Sequence, residues 1–377
     1  MKIKEEILIY CIFLCLSIHS ISFAQINDNL DKIVDYPLFL DVFNNDYHLR
    51  WDSPCIDAGD PSSPTDTDGT RTDMGIYYCE QVGQELSINK DWNWISFNVH
   101  PLDTSIGSVF EPLTKDDDVY EVKSINLISI WDPSSWIGDL EFIKDGEGYK
   151  IDMINAFDPF EVIGCQIDPQ LPIYLSEGWN WVAYYPTYNL PLAVAMACLE
   201  DNVDQVKNQT QSSTYYDPIW IGNLTEMAEG IMYEINMHDV ATLIYPEESK
   251  YNPRKVVYKN AKNWQVMVGT EYNMVLMAEI DLDSLNIKSK DVSVGAFDDE
   301  GICRAVGIPQ YVDNTELWYF TIVGNEGYFE TVDIHFELCD EGKGRCYRSN
   351  EKVLFRKDII IGSPKELFNI NLLLNDP

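Results

Sequence analysis

The order of apolar, aromatic and polar residues repeats between residues 83 and 247. The Trp-Asn-Trp sequence of residues 92–94 returns at 179–181, and further blocks return in the same order. The other matched blocks are 122–123 with 206–207, 136–140 with 220–224, 146 with 230, and 149–153 with 233–237. The spacing between matched blocks changes only from 87 to 84 residues. This regularity indicates an internal duplication, with module 1 at 83–165 and module 2 at 166–247.

Each module combines one helical pattern with several strand patterns. Apolar residues follow the i, i+3, i+4, i+7 spacing of a helix face at Ile106, Val109, Phe110 and Leu113, and again at Leu192, Ala195, Met196 and Leu199. Strands are predicted at 94–99 and 148–153 in module 1, and at 181–185 and 232–237 in module 2. The modules are expected either to pack face to face or to follow each other as separate beads.

The C-terminal region, residues 255–374, alternates short apolar runs with turn residues. Strands are predicted at 273–280, 292–297, 318–323, 332–338 and 368–373, separated by turns that contain Gly, Asn or Pro. About seven short strands in a region of this length are typical of a β-sandwich. The predicted fold class is therefore mainly β with a few short helices: a duplicated β-rich module plus a C-terminal β-sandwich.

The N-terminus has the pattern of a secretory signal peptide. Lys2 and Lys4 precede an apolar run at 7–16, and the small residues Ser22 and Ala24 lie at the positions that a signal peptidase reads. We expect residues 1–24 to be a signal cleaved after Ala24, with an uncleaved anchor as the alternative. No later segment is apolar enough to span a membrane. The mature protein is therefore expected to be secreted, either extracellular or at the cell surface.

The charge of the chain is strongly negative. The 377 residues include 62 Asp and Glu against 26 Lys and Arg, which gives a formal net charge of -36. This charge argues against a general nucleic-acid binder, because phosphate recognition needs positive charge. The acidity either keeps an extracellular protein soluble or helps it to collect cations.

One acidic loop is a candidate calcium site. Asp60, Asp66, Asp68 and Asp73 supply the oxygen ligands that calcium prefers. The position where an EF-hand would carry its bidentate Glu is Gly75, which excludes that motif. The alternative is a solvated loop in which the Asp side chains cap the local backbone.

Tryptophan and cysteine residues give two further candidates. Trp136 and Trp220 would form a glycan-binding platform if exposed, or part of the module cores if buried. Cys339 and Cys346 flank a turn-like stretch and are predicted to form a disulfide across a hairpin. Among the other cysteines, Cys165, Cys198 and Cys303 are expected to be buried and free.

Motifs of the common enzyme classes are absent from the sequence. It contains no Gly-x-Ser-x-Gly, no phosphate-binding loop of the Walker type and no His-Glu-x-x-His. The four histidines of the mature chain have no metal-ligand spacing: they are His48, His100, His238 and His335. We therefore expect no catalytic residues and no cofactor other than calcium.

Three segments resemble known protein families. Residues 53–61 and 66–75 resemble the C-terminal end of secreted right-handed parallel β-helix proteins, relatives of pectate lyases and bacterial adhesins. The resemblance implies that residues 25–82 are a β-helix remnant that carries the Asp-rich loop. A single remnant coil has no stacked neighbours, so it cannot form a lyase groove. The Trp-Asn-Trp modules and residues 294–325 resemble repeats and a sandwich domain of large secreted Bacteroidetes-type surface proteins.

These observations favour a secreted, non-enzymatic multidomain protein of the cell surface or matrix. It would bind a glycan or a protein through its β modules, and it is expected neither to bind nucleic acid nor to span a membrane once the signal is removed. The alternative is an accessory or truncated part of a polysaccharide-active enzyme whose catalytic β-helix is missing. A further alternative is a hydrolase with a carboxylate pair that no motif identifies.

Overall fold

The computed structural model describes residues 36–41, 46–50, 53–199, 202–247, 264–282, 285, 287–313, 315–327, 331–340 and 344–374. The chain divides into two units, Met1–Glu80 and Gln81–Pro377. The expected signal peptide and residues 255–263 of the C-terminal region lie outside the described residues. The described residues are mainly β with short helices, which confirms the predicted fold class.

The first unit contains one small antiparallel sheet and a long loop. Strands β1 (Phe39–Asp41) and β2 (Asp46–Leu49) pair with each other. Residues 53–80 follow without a strand. The loop is organised by hydrogen bonds between its own backbone and side chains, such as that from the Gly59 amide to the Thr72 carbonyl.

Module 1 forms two sheets that enclose an apolar core. Its strands are β3 (Gln81–Ile88), β4 (Asp91–Ser96), β5 (Val99–His100), β6 (Val119–Lys123), β7 (Ile128–Asp132), β8 (Ser135–Gly138), β9 (Gly148–Met153) and β10 (Phe157–Gln166). One sheet has five strands in the order β4-β9-β6-β7-β8, and the other has three in the order β3-β10-β5. The core includes Phe110, Leu113, Tyr149 and Ile151.

The predicted helix of module 1 is interrupted after one turn. It consists of α1 (Ile106–Val109) and α2 (Glu111–Thr114), with Phe110 between them outside the helical conformation. The matching helix of module 2, Leu192–Ala195, leaves the helical conformation at Met196 with nearly the same angles as Phe110, although no proline follows there. The break after one turn is therefore shared by the two modules and is not an effect of Pro112.

Module 2 repeats the five-stranded sheet of module 1. Its elements are β11 (Ile173–Leu175), β12 (Gly178–Val182), β13 (Leu190–Pro191), α3 (Leu192–Ala195), β14 (Val203–Lys207), β15 (Ser212–Tyr216), β16 (Ile219–Gly222), β17 (Glu226–Met227), β18 (Tyr233–Met237) and β19 (Ala241–Leu243). The strand order β12-β18-β14-β15-β16 matches that of module 1. The register also matches, since Trp94 lies opposite Lys150 and Trp181 lies opposite Glu234.

The asparagine of each Trp-Asn-Trp sequence closes the turn before its strand. The Asn93 side chain accepts a hydrogen bond from the Asn89 amide at 2.9 Å and donates one to the Asn89 carbonyl at 2.8 Å. Asn180 makes the same pair of bonds to Ser176 at the same distances. The repeated residue therefore has a repeated structural role, which explains why this block is the clearest in the sequence.

The two modules are joined by equivalent backbone contacts around an approximate two-fold axis. The Ser96 amide donates to the Gly230 carbonyl at 3.1 Å, and the equivalent Ala183 amide donates to the Gly146 carbonyl at 3.0 Å. Both glycines have positive φ angles near +80°, a conformation that favours glycine. The modules are therefore joined directly, and the interpretation as separate beads is wrong.

The C-terminal region forms the predicted β-sandwich. Its strands are β20 (Tyr272–Ile280), β21 (Val292–Phe297), β22 (Cys303–Val306), β23 (Ile308–Val312), β24 (Thr315–Gly324), β25 (Asp333–Asp340), β26 (Arg345–Ser349), β27 (Val353–Leu354), β28 (Ile360–Ile361), β29 (Phe368–Ile370) and β30 (Leu372–Leu374). One sheet is built around β20 and β24, and the other around β21 and β25. Leu276, Phe320, Val294 and Phe336 belong to one apolar core.

Cysteine residues take three different environments. Cys339 and Cys346 lie opposite each other on β25 and β26 and form the predicted disulfide. Cys303 is buried and free, as expected. The expectation is wrong for Cys165, which is disulfide-bonded, and for Cys198, which is free but exposed. Apolar surroundings in the sequence therefore do not establish whether a thiol is buried or paired.

Candidate functional site

A buried ionic cluster lies where modules 1 and 2 meet. We call Lys150, Glu234 and Lys207 the ionic cluster. The Lys150 Nζ lies 2.7 Å from Glu234 Oε1, and the Lys207 Nζ lies 2.8 Å from Glu234 Oε2, with all three side chains at most 3% exposed. Charges so far from water persist only when they are paired and hydrogen-bonded. The cluster therefore ties the central strands of the two modules together.

The repeated tryptophans form the walls of this cluster. The Lys150 Nζ lies 3.8 Å from the ring centroid of Trp94 and 4.4 Å from that of Trp181. The Lys207 Nζ lies 4.4 Å from the ring of Trp179. Such contacts place ammonium groups against the negative faces of the rings. The Trp-Asn-Trp sequences therefore supply cation-binding walls inside the protein.

The C-terminal sandwich completes the cluster. The Glu271 carbonyl, just before β20, accepts hydrogen bonds from Lys150 Nζ at 2.8 Å and from the Trp94 indole at 3.2 Å. Asp358 accepts a hydrogen bond from Lys207, and the Glu271 carboxylate accepts one from Lys123. Three parts of the second unit thus meet at one set of charges.

Burial and ion pairing have opposite effects on each pKa in the cluster, because burial disfavours the charged form of a group and pairing favours it. Burial lowers the pKa of Lys150 to about 8 despite the neighbouring Glu234. For Glu234, burial alone would raise the pKa, but Lys150 and Lys207 outweigh burial and hold the pKa below its usual value. The ammonium groups of the ionic cluster are buried and out of reach of a substrate. The cluster therefore fixes the relative positions of the modules and the sandwich.

An open cleft lies between module 2 and the sandwich. It has a volume of about 420 Å³ and is lined by Tyr216, Asp217, Pro218, Ile219, Val312, Asp313 and Lys365. The first four belong to the hairpin of β15 and β16, Val312 is the last residue of β23, and Asp313 begins the turn to β24. We call it the Tyr216 cleft.

The Tyr216 cleft combines one aromatic ring with groups that bind hydroxyls. Asp217 and Asp313 are exposed acceptors, and Lys365 is an exposed donor whose Nζ lies 5.7 Å from the Tyr216 ring. The Tyr216 ring is half-buried, which fixes it in place. Polar and apolar groups contribute about equally to the lining of this open cleft.

The carboxylates of the Asp-rich loop are used within the loop. All four accept hydrogen bonds from backbone amides: Asp60 from Ser62, Asp66 from Asp73, Asp68 from Thr70, and Asp73 from Asp57 and Cys79. Burial raises the pKa of Asp73 above its usual value. Within the described ranges, no three or more His, Cys, Asp or Glu side chains come together as a metal-binding group. Calcium at this loop stays a prediction.

Trp136 and Trp220 pack against the module cores. The ring centroid of Trp136 lies 5.4 Å from that of Trp131 and 6.2 Å from that of Phe110. The ring of Trp220 lies 5.2 Å from that of Tyr215 in the equivalent position. The indole nitrogen of each tryptophan is buried. This geometry supports the core interpretation, and we do not propose a glycan platform at these residues.

The sequence interpretation did not identify the ionic cluster or the cleft. A signal for the cluster was present, because lysine occurs at both 123 and 207, and the matched positions 150 and 234 carry opposite charges. The cleft had no comparable signal, since Tyr216 and Asp313 are almost a hundred residues apart and share no motif.

Comparison with known proteins identifies no relative. No protein-family model matches the chain, and no curated protein or solved structure matches it significantly. In the part of the chain that the structure describes, no helix has the length and apolar character needed to cross a membrane.

Proposed function

We propose that this protein is a secreted, non-enzymatic binding protein of the cell surface or matrix, and that it binds a glycan in the Tyr216 cleft. The cleft is the observation that carries this proposal. Its volume of about 420 Å³ lies within the range of about 300–1,000 Å³ that is typical of small-ligand pockets.

The walls of the cleft are held in fixed positions. The Gln310 side chain accepts a hydrogen bond from the Gly222 amide at 3.0 Å and donates one to the Gly222 carbonyl at 2.6 Å. Ile221 packs with Val275 and Met277 beneath the same hairpin. A cleft that is already formed loses less conformational entropy when it binds a ligand. This rigidity favours recognition of a ligand as flexible as a glycan.

The charges of the cleft restrict the class of glycan. Two carboxylates and one ammonium line it, and the whole chain carries a formal net charge of -36. An anionic polysaccharide would be repelled by the two carboxylates of the cleft and by the net charge of the chain. The Tyr216 ring can stack on the apolar face of a sugar, while Asp217 and Asp313 can accept hydrogen bonds from its hydroxyl groups. We therefore propose a neutral glycan or an amino-sugar glycan as the ligand.

Calorimetric titration with oligosaccharides tests the proposal. The panel contains cello-, xylo- and manno-oligosaccharides, chitosan oligosaccharides and, as the anionic member, oligogalacturonates. We expect binding to a neutral or amino-sugar member and none to oligogalacturonates. Tyr216→Ala should weaken binding by about tenfold or more, which corresponds to about 1.4 kcal/mol. Asp313→Asn, a smaller change at the surface, should weaken it without affecting the fold.

Tyr174→Ala is the matched control, because Tyr174 is a highly exposed tyrosine on β11. Its removal should leave the affinity unchanged. Absence of binding to every neutral and amino-sugar member would contradict the proposal, as would equal losses for Tyr216→Ala and Tyr174→Ala. Release of reducing ends would instead support a polysaccharide-active enzyme. The titrations are repeated with calcium and with a chelator, because calcium at the Asp-rich loop stays a prediction.

A further inference from the structure

The five-stranded sheets of modules 1 and 2 have equivalent outer faces, directed away from the module cores. In module 2 the sandwich covers this face. The Ser212 hydroxyl lies 2.7 Å from that of Thr321 and 3.1 Å from that of Tyr319, and the Thr214 hydroxyl lies 3.2 Å from that of Tyr319. Ile221 is buried in the same contact.

The equivalent face of module 1 is exposed and apolar. Ile128, Ile130 and Ile137 occupy the positions of Ser212, Thr214 and Ile221, and they are 41%, 38% and 60% exposed. Ile130 lies directly opposite Ile137 on the neighbouring strand, and Ile128 lies two residues before Ile130 on the same face. We call these three residues the isoleucine patch.

The outer faces of the two five-stranded sheets carry polar and apolar side chains in the opposite arrangement from the one that exposure to water would favour. At two of the three positions the covered face of module 2 presents serine or threonine where the exposed face of module 1 presents isoleucine, and the third position is isoleucine in both. A solvated face of an antiparallel sheet normally carries polar residues. Clustered exposed apolar side chains mark an interaction surface. The isoleucine patch is therefore expected to be covered by another protein surface.

The patch continues an interface that the protein already has. Ile128 lies opposite Lys123, and Ile130 lies opposite Glu121. These two side chains are mostly buried, and Lys123 is bonded to Glu271 next to the sandwich. The surface under the sandwich and the isoleucine patch are thus adjoining parts of one sheet face. The occupant in module 2 is itself a β-sheet face with apolar side chains, such as Val275 and Met277.

We propose that the isoleucine patch pairs with the same patch of a second copy of this chain. The sandwich cannot serve as the partner through its docking sheet, because that sheet already contacts module 2. A patch of three isoleucines is complementary to itself and contains no charge that would select a charged partner. Two-fold pairing of identical surfaces is the commonest way in which proteins form dimers.

The charge of the chain gives this dimer a characteristic salt dependence. Two copies at a formal net charge of -36 repel each other. Salt screens this repulsion, because the Debye length falls from about 10 Å at 0.1 M to about 3 Å at 1 M. An apolar contact between acidic copies therefore strengthens as salt rises. Contact with a basic partner would weaken instead.

Sedimentation velocity of the mature protein tests the proposal over a wide range of protein concentration, at low and at high NaCl. We expect a concentration-dependent dimer whose dissociation constant falls by about threefold or more when NaCl is raised from about 0.05 M to about 0.5 M. Ile130→Lys combined with Ile137→Lys should abolish the dimer. Ile128→Ser combined with Ile130→Thr reproduces the residues of module 2 and should weaken the dimer with less risk to folding.

Ile163→Lys is the matched control, because Ile163 is an exposed isoleucine on β10, in the other sheet of module 1. It should leave the dimer intact. Circular dichroism establishes that each variant is folded. A monomer at every concentration and both salt concentrations would overturn the proposal. A dimer that survives both double variants, or one that weakens as salt rises, would overturn it as well.

Discussion

Modules 1 and 2 present the same sheet to two different surroundings. Their strands have the same order and register, and Asn93 and Asn180 close equivalent turns with equal bond lengths. The modules differ where they touch each other and where the sandwich touches only one of them. A duplicated unit can therefore keep its internal structure while its surfaces diverge.

The divergence is clearest at the two-fold axis, where each position meets its own equivalent. Position 150 is lysine in module 1, and the matched position 234 is glutamate in module 2, so the two form an ion pair. Position 148 is glycine, and the matched position 232 is methionine, whose side chain fills the space above Gly148. Each pair is complementary only because its two members differ. Two identical modules would bring together like charges or two bulky side chains.

The largest expected effect comes from removing the negative charge between the two lysines. Glu234→Gln would leave Lys150 and Lys207 buried without their shared carboxylate, and breaking a buried ion pair typically costs about 3–5 kcal/mol. The free energy of unfolding, measured with urea, should fall by about this amount. Glu300→Gln is the control, because Glu300 is exposed and should change stability by less than about 0.5 kcal/mol.

The pH dependence of the same variant sharpens this prediction. The pKa of Glu234 is lower in the folded state than the ordinary value of 4.5, because Lys150 and Lys207 outweigh the effect of burial. The carboxylate therefore contributes its full stability above pH 4.5 and loses that contribution as pH falls through the lower folded pKa. The stability difference between the natural protein and Glu234→Gln should shrink in acid. A difference that stays constant down to the acid-unfolded state would argue against the ion pair.

A smaller effect is expected from filling the space at Gly148. A methyl group there would collide with the side chain of Met232, and overpacking of this kind typically costs about 1–3 kcal/mol. Gly148→Ala should lower the free energy of unfolding by this amount. The double variant that adds Met232→Ala should lose less than the sum of the two single losses, because truncating the buried Met232 removes the collision. Gly107→Ala is the control, since an added methyl group there meets no neighbour. Equal stability changes for the two glycine variants would contradict the predicted complementarity.

The smallest effects should come from the two equivalent asparagines. Asn93→Ala and Asn180→Ala each remove the same hydrogen bonds, worth about 1 kcal/mol net for a typical bond. Asn93 is buried whereas Asn180 is partly exposed, so water can replace the lost bonds only at Asn180. Asn93→Ala should therefore destabilise the protein more in the same urea experiment. A larger loss of stability for Asn180→Ala than for Asn93→Ala would contradict this prediction.

Much of the fold could be predicted because it depends on local spacing. The predicted strand at 148–153 agrees with β9 in full, and the predicted sandwich and the Cys339–Cys346 disulfide agree with the structure. The helix of each module was predicted too long, because the apolar spacing continues past Phe110 and Met196 while the backbone leaves the helical conformation at both residues. Apolar periodicity reports which side of an element is buried, but not whether the chain can remain helical.

The sequence by itself determined that the protein is built from two related β modules and a sandwich, since repeats and alternation are properties of neighbouring residues. The tertiary structure alone decided which surfaces those modules use. Lys150 and Glu234, the two sides of the Tyr216 cleft, and the contrast between Ile130 and Thr214 all depend on residues brought together from distant parts of the chain. No local pattern encodes such proximity, because it results from the packing of whole sheets against one another.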